Sequence, residues 1–176
     1  MDISQQIDNL KFSNKDKIIK DVKTDDTANN YVNDSSVELL WAMKAHKHAE
    51  VYMKLLKAVD SSKVKLTKYD DLIYRMFKKD FSDINVEQLD EDMFKSKTAK
   101  EKWRPFCEDF KGKIESYNFG TLIRKNVHED YSEDNSFLTT RIQFLAVEIV
   151  RNRHGLNSFY KNVKESQISS EPLPAD

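Results

Sequence analysis

The chain has 176 residues, 39% hydrophobic and 34% charged, with a formal net charge of −1 and a pI near 6.4. That length suits one domain with a single core, and the balanced charge lacks the basic excess, a domain pI above about 9, that marks a protein wrapping nucleic acid. The three glycines lie far apart at 112, 120 and 155, so no cluster of them can bring backbone N–H groups around a phosphate, which argues against a nucleotide cradle or a methyl-donor loop of that type.

Residues 1–34 are polar and include "TDDTANN"; Ile3, Ile7 and Leu10 recur at helical spacing, but most of the segment is expected to be flexible. Its run of Lys15, Lys17, Lys20 and Lys23 alternates with Asp16, Asp21, Asp25 and Asp26 and reads as a solvated stretch. No signal pattern opens the chain and no apolar run approaches about 18 residues, so neither secretion nor membrane spanning is expected. Cys107 is the single cysteine and allows no intrachain disulfide, which fits a reducing, cytoplasmic setting.

From residue 35 the pattern turns helical. Ser35 and Glu38 fit a capping box. Val37, Trp41, Ala45, His48, Tyr52, Leu55 and Val59 follow at steps of three and four, one face of a long helix over 36–59. Thr67 opens a second helix striped by Tyr69, Leu72, Ile73, Met76 and Phe77, and "DINVEQLDEDMF" a shorter one. Thr98 and Glu101 suggest another box, ahead of a stripe of Trp103, Phe106, Phe110, Ile114 and Tyr117 that Pro105 should bend. "NFGTLIRKNVHEDYSED" reads as a long connection, with "TLIRKNV" the best strand candidate. Asn135 or Ser136 then caps a last helix whose Leu138, Ile142, Leu145, Ala146 and Ile149 face inward, ending at Gly155. The expected architecture is all-α: a compact bundle of about five helices with one long irregular connection, spanning 35–161, followed by a flexible tail over 162–176.

Chemistry-bearing residues are sparse. In "AHKHAEVY", His46 and His48 are two apart and point to opposite sides of a helix, so they cannot share a metal; His46 and Glu50 can meet, but two ligands do not make a zinc site. Cys107 adjoins an apolar stripe and reads as a small buried filler rather than a nucleophile. "EKWRPF" and "FGTLIR" are more informative, because Trp103 and Arg104 are residue types that dominate binding hot spots and Phe119 and Leu122 lie on a connection.

The stretches "WAMKAHKHAEVY", "KLTKYDDLIY", "AKEKWRPFCEDF", "ESYNFGTLIR" and "RIQFLAVEIVRNRHG" together resemble the polysaccharide biosynthesis domain-containing protein 1 family from Trp41 to Tyr160. The resemblance implies a small helical cytosolic protein without catalytic residues or cofactors. It further implies a dedicated chaperone that holds the nascent or nucleotide-free GTPase domain of translation elongation factor 1-alpha, acting as a monomer without contact to nucleic acid or membrane. The surface expected to carry this is Trp103, Arg104, Phe119, Gly120, Thr121, Leu122 and Arg124, with Arg151, Asn152 and Arg153 as further contacts. The family name suggests the alternative, an enzyme or accessory factor in polysaccharide biosynthesis, for which the scattered glycines offer no donor site.

Overall fold

A computed structural model describes residues 35–161. The flexible segment and short helix expected within 1–34, and the tail expected at 162–176, lie outside the described residues.

Helix α1, Ser35–Ala58, forms as expected, but its buried face is rotated from the predicted stripe: Ala45 and Tyr52 are buried together with Ala49, Met53 and Leu56, while His48, Leu55 and Val59 are half-buried and Trp41 is exposed. Asp60 ends it by accepting the Ser62 N–H at 3.1 Å over a 3-10 turn, Ser61–Lys63. Before α2, Asp70–Asp80, the Asp70 carboxylate accepts the Leu66 and Thr67 N–H groups at 2.8 and 2.6 Å. This backward-reaching side chain closes the turn that precedes the helix; Tyr69, at the N-cap, makes no side-chain cap bond. A single turn, α3, Asp92–Lys95, leads directly into α4, Lys97–Glu108. Ser96, not Thr98, caps α4: its Oγ accepts the Ala99 N–H at 3.2 Å. The helix continues past the exposed Pro105.

The all-α expectation is corrected here. Gly120–Arg124 and Ser136–Thr140 form strands β1 and β2 of an antiparallel sheet, in register from Gly120↔Thr140 to Arg124↔Ser136. The protein is helix-rich α/β. The last helix, α5, is Arg141–Arg153, so it starts later than the sequence suggested. The β-branched pair Thr139–Thr140 closes a strand, and Thr140 with Gln143 forms the capping box: the Gln143 N–H reaches Thr140 Oγ1 at 3.4 Å, and the Thr140 N–H reaches Gln143 Oε1 at 3.0 Å. Asn135, expected as that cap, instead ties the hairpin loop. Its Nδ2 is shared among the carbonyls of Asn126, Glu129 and Asp130 at 3.0–3.1 Å, and its Oδ1 accepts the Asn126 N–H at 2.8 Å.

The core lies between α5 and the other elements. Residues 142–152 of α5 are buried without interruption, the polar Gln143, Glu148, Arg151 and Asn152 included. Trp103 stacks on Phe81 at 3.8 Å and on Phe94 at 5.3 Å between ring centroids, and its Nε1 donates to Met93 O at 3.0 Å. At the far end of α5, Gly155 adopts a φ of +72°, the Leu156 N–H bonds Arg151 O and the Gly155 N–H bonds Asn152 O. That is a Schellman ending, which the sequence position of Gly155 predicts.

Candidate partner-binding surface

Of the residues expected at a partner interface, five are interior and cannot touch a partner in this fold: Trp103, Thr121, Arg124, Arg151 and Asn152. The physical reason is that three of them belong to one buried polar hub. Arg124, Glu148 and Arg151 are each 0% exposed. Arg151 donates to Val86 O, Glu148 Oε1, Arg124 O and Lys125 O at 2.7–3.1 Å. Arg124 donates to Val127 O at 2.9 Å and Asn157 Oδ1 at 2.8 Å, and lies 3.3 Å from Glu148 Oε2. The same carboxylate accepts from Tyr52 Oη and Asn157 Nδ2, both at 2.8 Å, and Asn157 in turn reaches Asn152 at 2.6 Å.

The hub's electrostatics follow from its composition. Burial alone would raise the Glu148 carboxyl, but the guanidiniums of Arg124 and Arg151 outweigh it and hold the group at about 2. Burial, then the Glu148 charge, push the Tyr52 phenol up, so it serves as a neutral donor. The hub joins α1, β1, the Val86 carbonyl and α5 at one point. It fixes the hairpin on the helices.

The remaining expected residues are at or near the surface. Arg104 is exposed on α4. Arg153 is exposed too, engaged by Asp71 at 2.6 Å and lying over the Tyr74 ring at 4.5 Å. Phe119 is half-buried under Lys44 Nζ, 4.7 Å from its ring centre. Leu122 is half-buried and pairs across the ladder with Leu138, which is 51% exposed although the sequence placed it in the core. A Cβ on Gly120 would meet Leu138 Cδ1 at 3.4 Å, so glycine lets that leucine lie low over the strand.

Three large apolar side chains missed as surface residues stand at the start of α1: Leu39, Trp41 and Met43, exposed by 61%, 56% and 53%. Trp41 continues the stripe through Ala45 and Tyr52, but no described element covers its turn of the helix. Leu39 and Met43, four apart, share a face that otherwise carries Glu50, Lys54 and Lys57, a signal present in the sequence. Lys44 sits one turn beyond Trp41 and its contact with Phe119 links this end of α1 to the open end of the hairpin.

The other candidates have ordinary surroundings. His48 packs edge-on against Phe144 at 4.9 Å. His46 and Glu50 are 3.8 Å apart at the surface, and no group of three potential metal ligands occurs among the described residues. Burial pushes the Cys107 thiol up to about 11, which keeps it protonated near neutrality. No described helix is long and apolar enough to cross a membrane.

What these features define is a small helix-rich α/β domain with an ionisable cluster locked inside and large exposed apolar side chains at the start of α1 and on β2. The chain belongs to the PBDC1 family: the sequence profile of the family, described as PBDC1 protein, matches residues 37–162. It is 48% identical over 141 residues to Protein PBDC1 of Homo sapiens, covering 80% of this chain and 60% of that one. It is 43% identical over 127 residues to the Protein PBDC1 homolog of Saccharomyces cerevisiae, covering 70% and 87%. The chain thus spans less than two thirds of the human relative's length. A solution NMR structure of the Saccharomyces cerevisiae protein yst0336 superposes with a TM-score of 0.69 at 40% identity, over 79% of this chain and 96% of that one.

Proposed function

We propose that this protein is a non-enzymatic binding module, a cytoplasmic chaperone for the GTPase domain of translation elongation factor 1-alpha. The observation that best supports the reading is the set of exposed apolar side chains, Leu39, Trp41 and Met43 on α1 and Leu138 on β2, with Phe119 half-buried under Lys44. Leu39 and Met43, four apart, share one face of α1, and contiguous exposed apolar surface of that kind supports recognition of a partner. In this reading Trp41, Met43, Phe119, Leu122 and Leu138 contact the client, with Arg104 and Arg153 as outlying charges. Trp103, Thr121, Arg124, Arg151 and Asn152 act from inside, by holding the hairpin and α1 in place. Preference for the nucleotide-free client would make nucleotide binding and chaperone binding oppose each other, so that nucleotide drives release.

The experiment is capture from eukaryotic lysate on tagged full-length chain, against a Trp41→Asp/Phe119→Asp double variant. Enrichment of elongation factor 1-alpha by the wild type and its loss with the variant is the expected result. Equal recovery by both, or no enrichment by either, would overturn the proposal. Arg124→Glu is unsuitable as a surface probe, because it places a carboxylate beside Glu148 in the interior.

A further inference from the structure

The hairpin leaves one row of main-chain groups facing outward. Lys125 N–H bonds Asn135 O and Arg141 N–H bonds Phe119 O, both at 2.8 Å. With the observed register, alternation along an antiparallel ladder makes 121/139 and 123/137 the pairs that exchange hydrogen bonds. The peptide groups of Gly120, Leu122 and Arg124, and of Ser136, Leu138 and Thr140, therefore turn away from the partner strand.

On the β1 side this row is partly used: Tyr131 Oη donates to Leu122 O at 3.3 Å and Arg151 Nη2 to Arg124 O at 3.0 Å. On the β2 side Gln143 Oε1 takes the Thr140 N–H at 3.0 Å. The outward N–H and C=O groups of Ser136 and Leu138 have no hydrogen-bond partner among the described residues. An open strand edge with an exposed leucine at its centre is a template for another strand.

We infer that the outer edge of β2 accepts an extended segment of the client as a third strand, centred on Leu138; this rests on the client reading above. The alternating donors and acceptors fit an extended main chain, not the surface of a helix, whose own backbone groups are already paired. The client residue opposite Leu138 falls on the Leu122–Leu138 face, beside Gly120, so an apolar side chain is favoured there. A second copy is the weaker occupant. A five-residue edge is only ~17 Å long and offers one exposed large side chain, far short of the roughly 1,000 Å² that a stable dimer buries. A client held only until its release does not need that area, since transient encounters lie at the low end of interface size.

The test is residue-resolved amide hydrogen exchange on the full chain, alone and with purified nucleotide-free elongation factor 1-alpha, with affinities for wild type and Leu138→Pro. Proline at 138 removes an outward N–H and no ladder bond, as edge strands tolerate. The expected result is fast exchange at Ser136 and Leu138 in the free chain, protection of both with client, an unchanged Thr140 amide, and binding at least about tenfold weaker for L138P. The wild-type exchange result stands even if L138P folds poorly. Client binding with no protection at Leu138 would overturn the strand and leave the client reading intact. No client binding by wild type would overturn both. Protection of Leu138 that grows with the chain's own concentration, without client, would assign the edge to a second copy and overturn the inference.

Discussion

Tyr52 donates its hydroxyl to Glu148 at 2.8 Å across 96 positions of sequence, and neither side chain has any solvent exposure. The bond ties the middle of α1 to α5 at the carboxylate that also neutralises Arg124 and Arg151. Glu148→Gln leaves two buried guanidiniums without a counter-charge. The expected loss is about 3–5 kcal/mol, read as a lower urea midpoint with an unchanged denaturant slope. Tyr52→Phe removes one donor and leaves Asn157 in place, and should lose about 1–3 kcal/mol. Equal and negligible effects of both variants would show that the hub does not hold the fold together.

Glu148 also sets a pH dependence. Its folded pKa, about 2, lies below the ordinary glutamate value of 4.5. The unfolded chain therefore binds more protons between those values. The contribution is fully present above the unfolded pKa and is lost as pH falls from about 4.5 towards 2, with a size on the order of 3 kcal/mol. Urea midpoints measured from pH 6 down to pH 2 should fall more steeply for wild type than for E148Q. Parallel curves would contradict this.

Asn135 organises the hairpin loop by donating to three carbonyls. Asn135→Ala leaves those groups without their donor and should lower stability by about 1–3 kcal/mol. Thr140→Ala removes half of the capping box and should lose about 1 kcal/mol. Chemical denaturation of both variants checks the values.

Trp41 and Trp103 should behave oppositely. Trp103→Ala empties the stacked core site and should lose about 3–5 kcal/mol. Trp41→Ala removes a largely exposed side chain and should change stability by no more than about 0.5 kcal/mol, while weakening client binding. A destabilising Trp41→Ala would place that side chain in the core.

Much of this fold can be read from local pattern. The spacing of Ala45, Tyr52 and their neighbours gives α1, and Gly155 gives the end of α5, because both features depend on residues a turn or two apart. Strand β1 is legible in "TLIRKNV", but β2 is obscured because Leu138 falls in helical phase with Ile142 and Leu145, so one apolar rhythm crosses a strand–helix boundary. The Thr140–Gln143 spacing was the signal for the break. The hub could not be read at all from spacing: Arg124 and Glu148 are 24 residues apart, and single charges in a sequence look like surface. The clue lay around them, in a helix with Phe144, Leu145, Ala146, Val147, Ile149 and Val150 on every side of Glu148. Of the candidate surface, Phe119 and Leu122 are legible as partly accessible because they sit on the connection. Trp41 was missed because its helical phase is that of the core, and only the tertiary fold shows that nothing described reaches its turn.

The most direct measurement is equilibrium binding of the full chain to purified elongation factor 1-alpha, nucleotide-free and GTP-loaded, with wild type and Trp41→Ala side by side. The expected result is saturable binding to the nucleotide-free form, at least about tenfold weaker with GTP, and weakened by Trp41→Ala. Affinity independent of nucleotide and of Trp41, or no binding to either form, would contradict it.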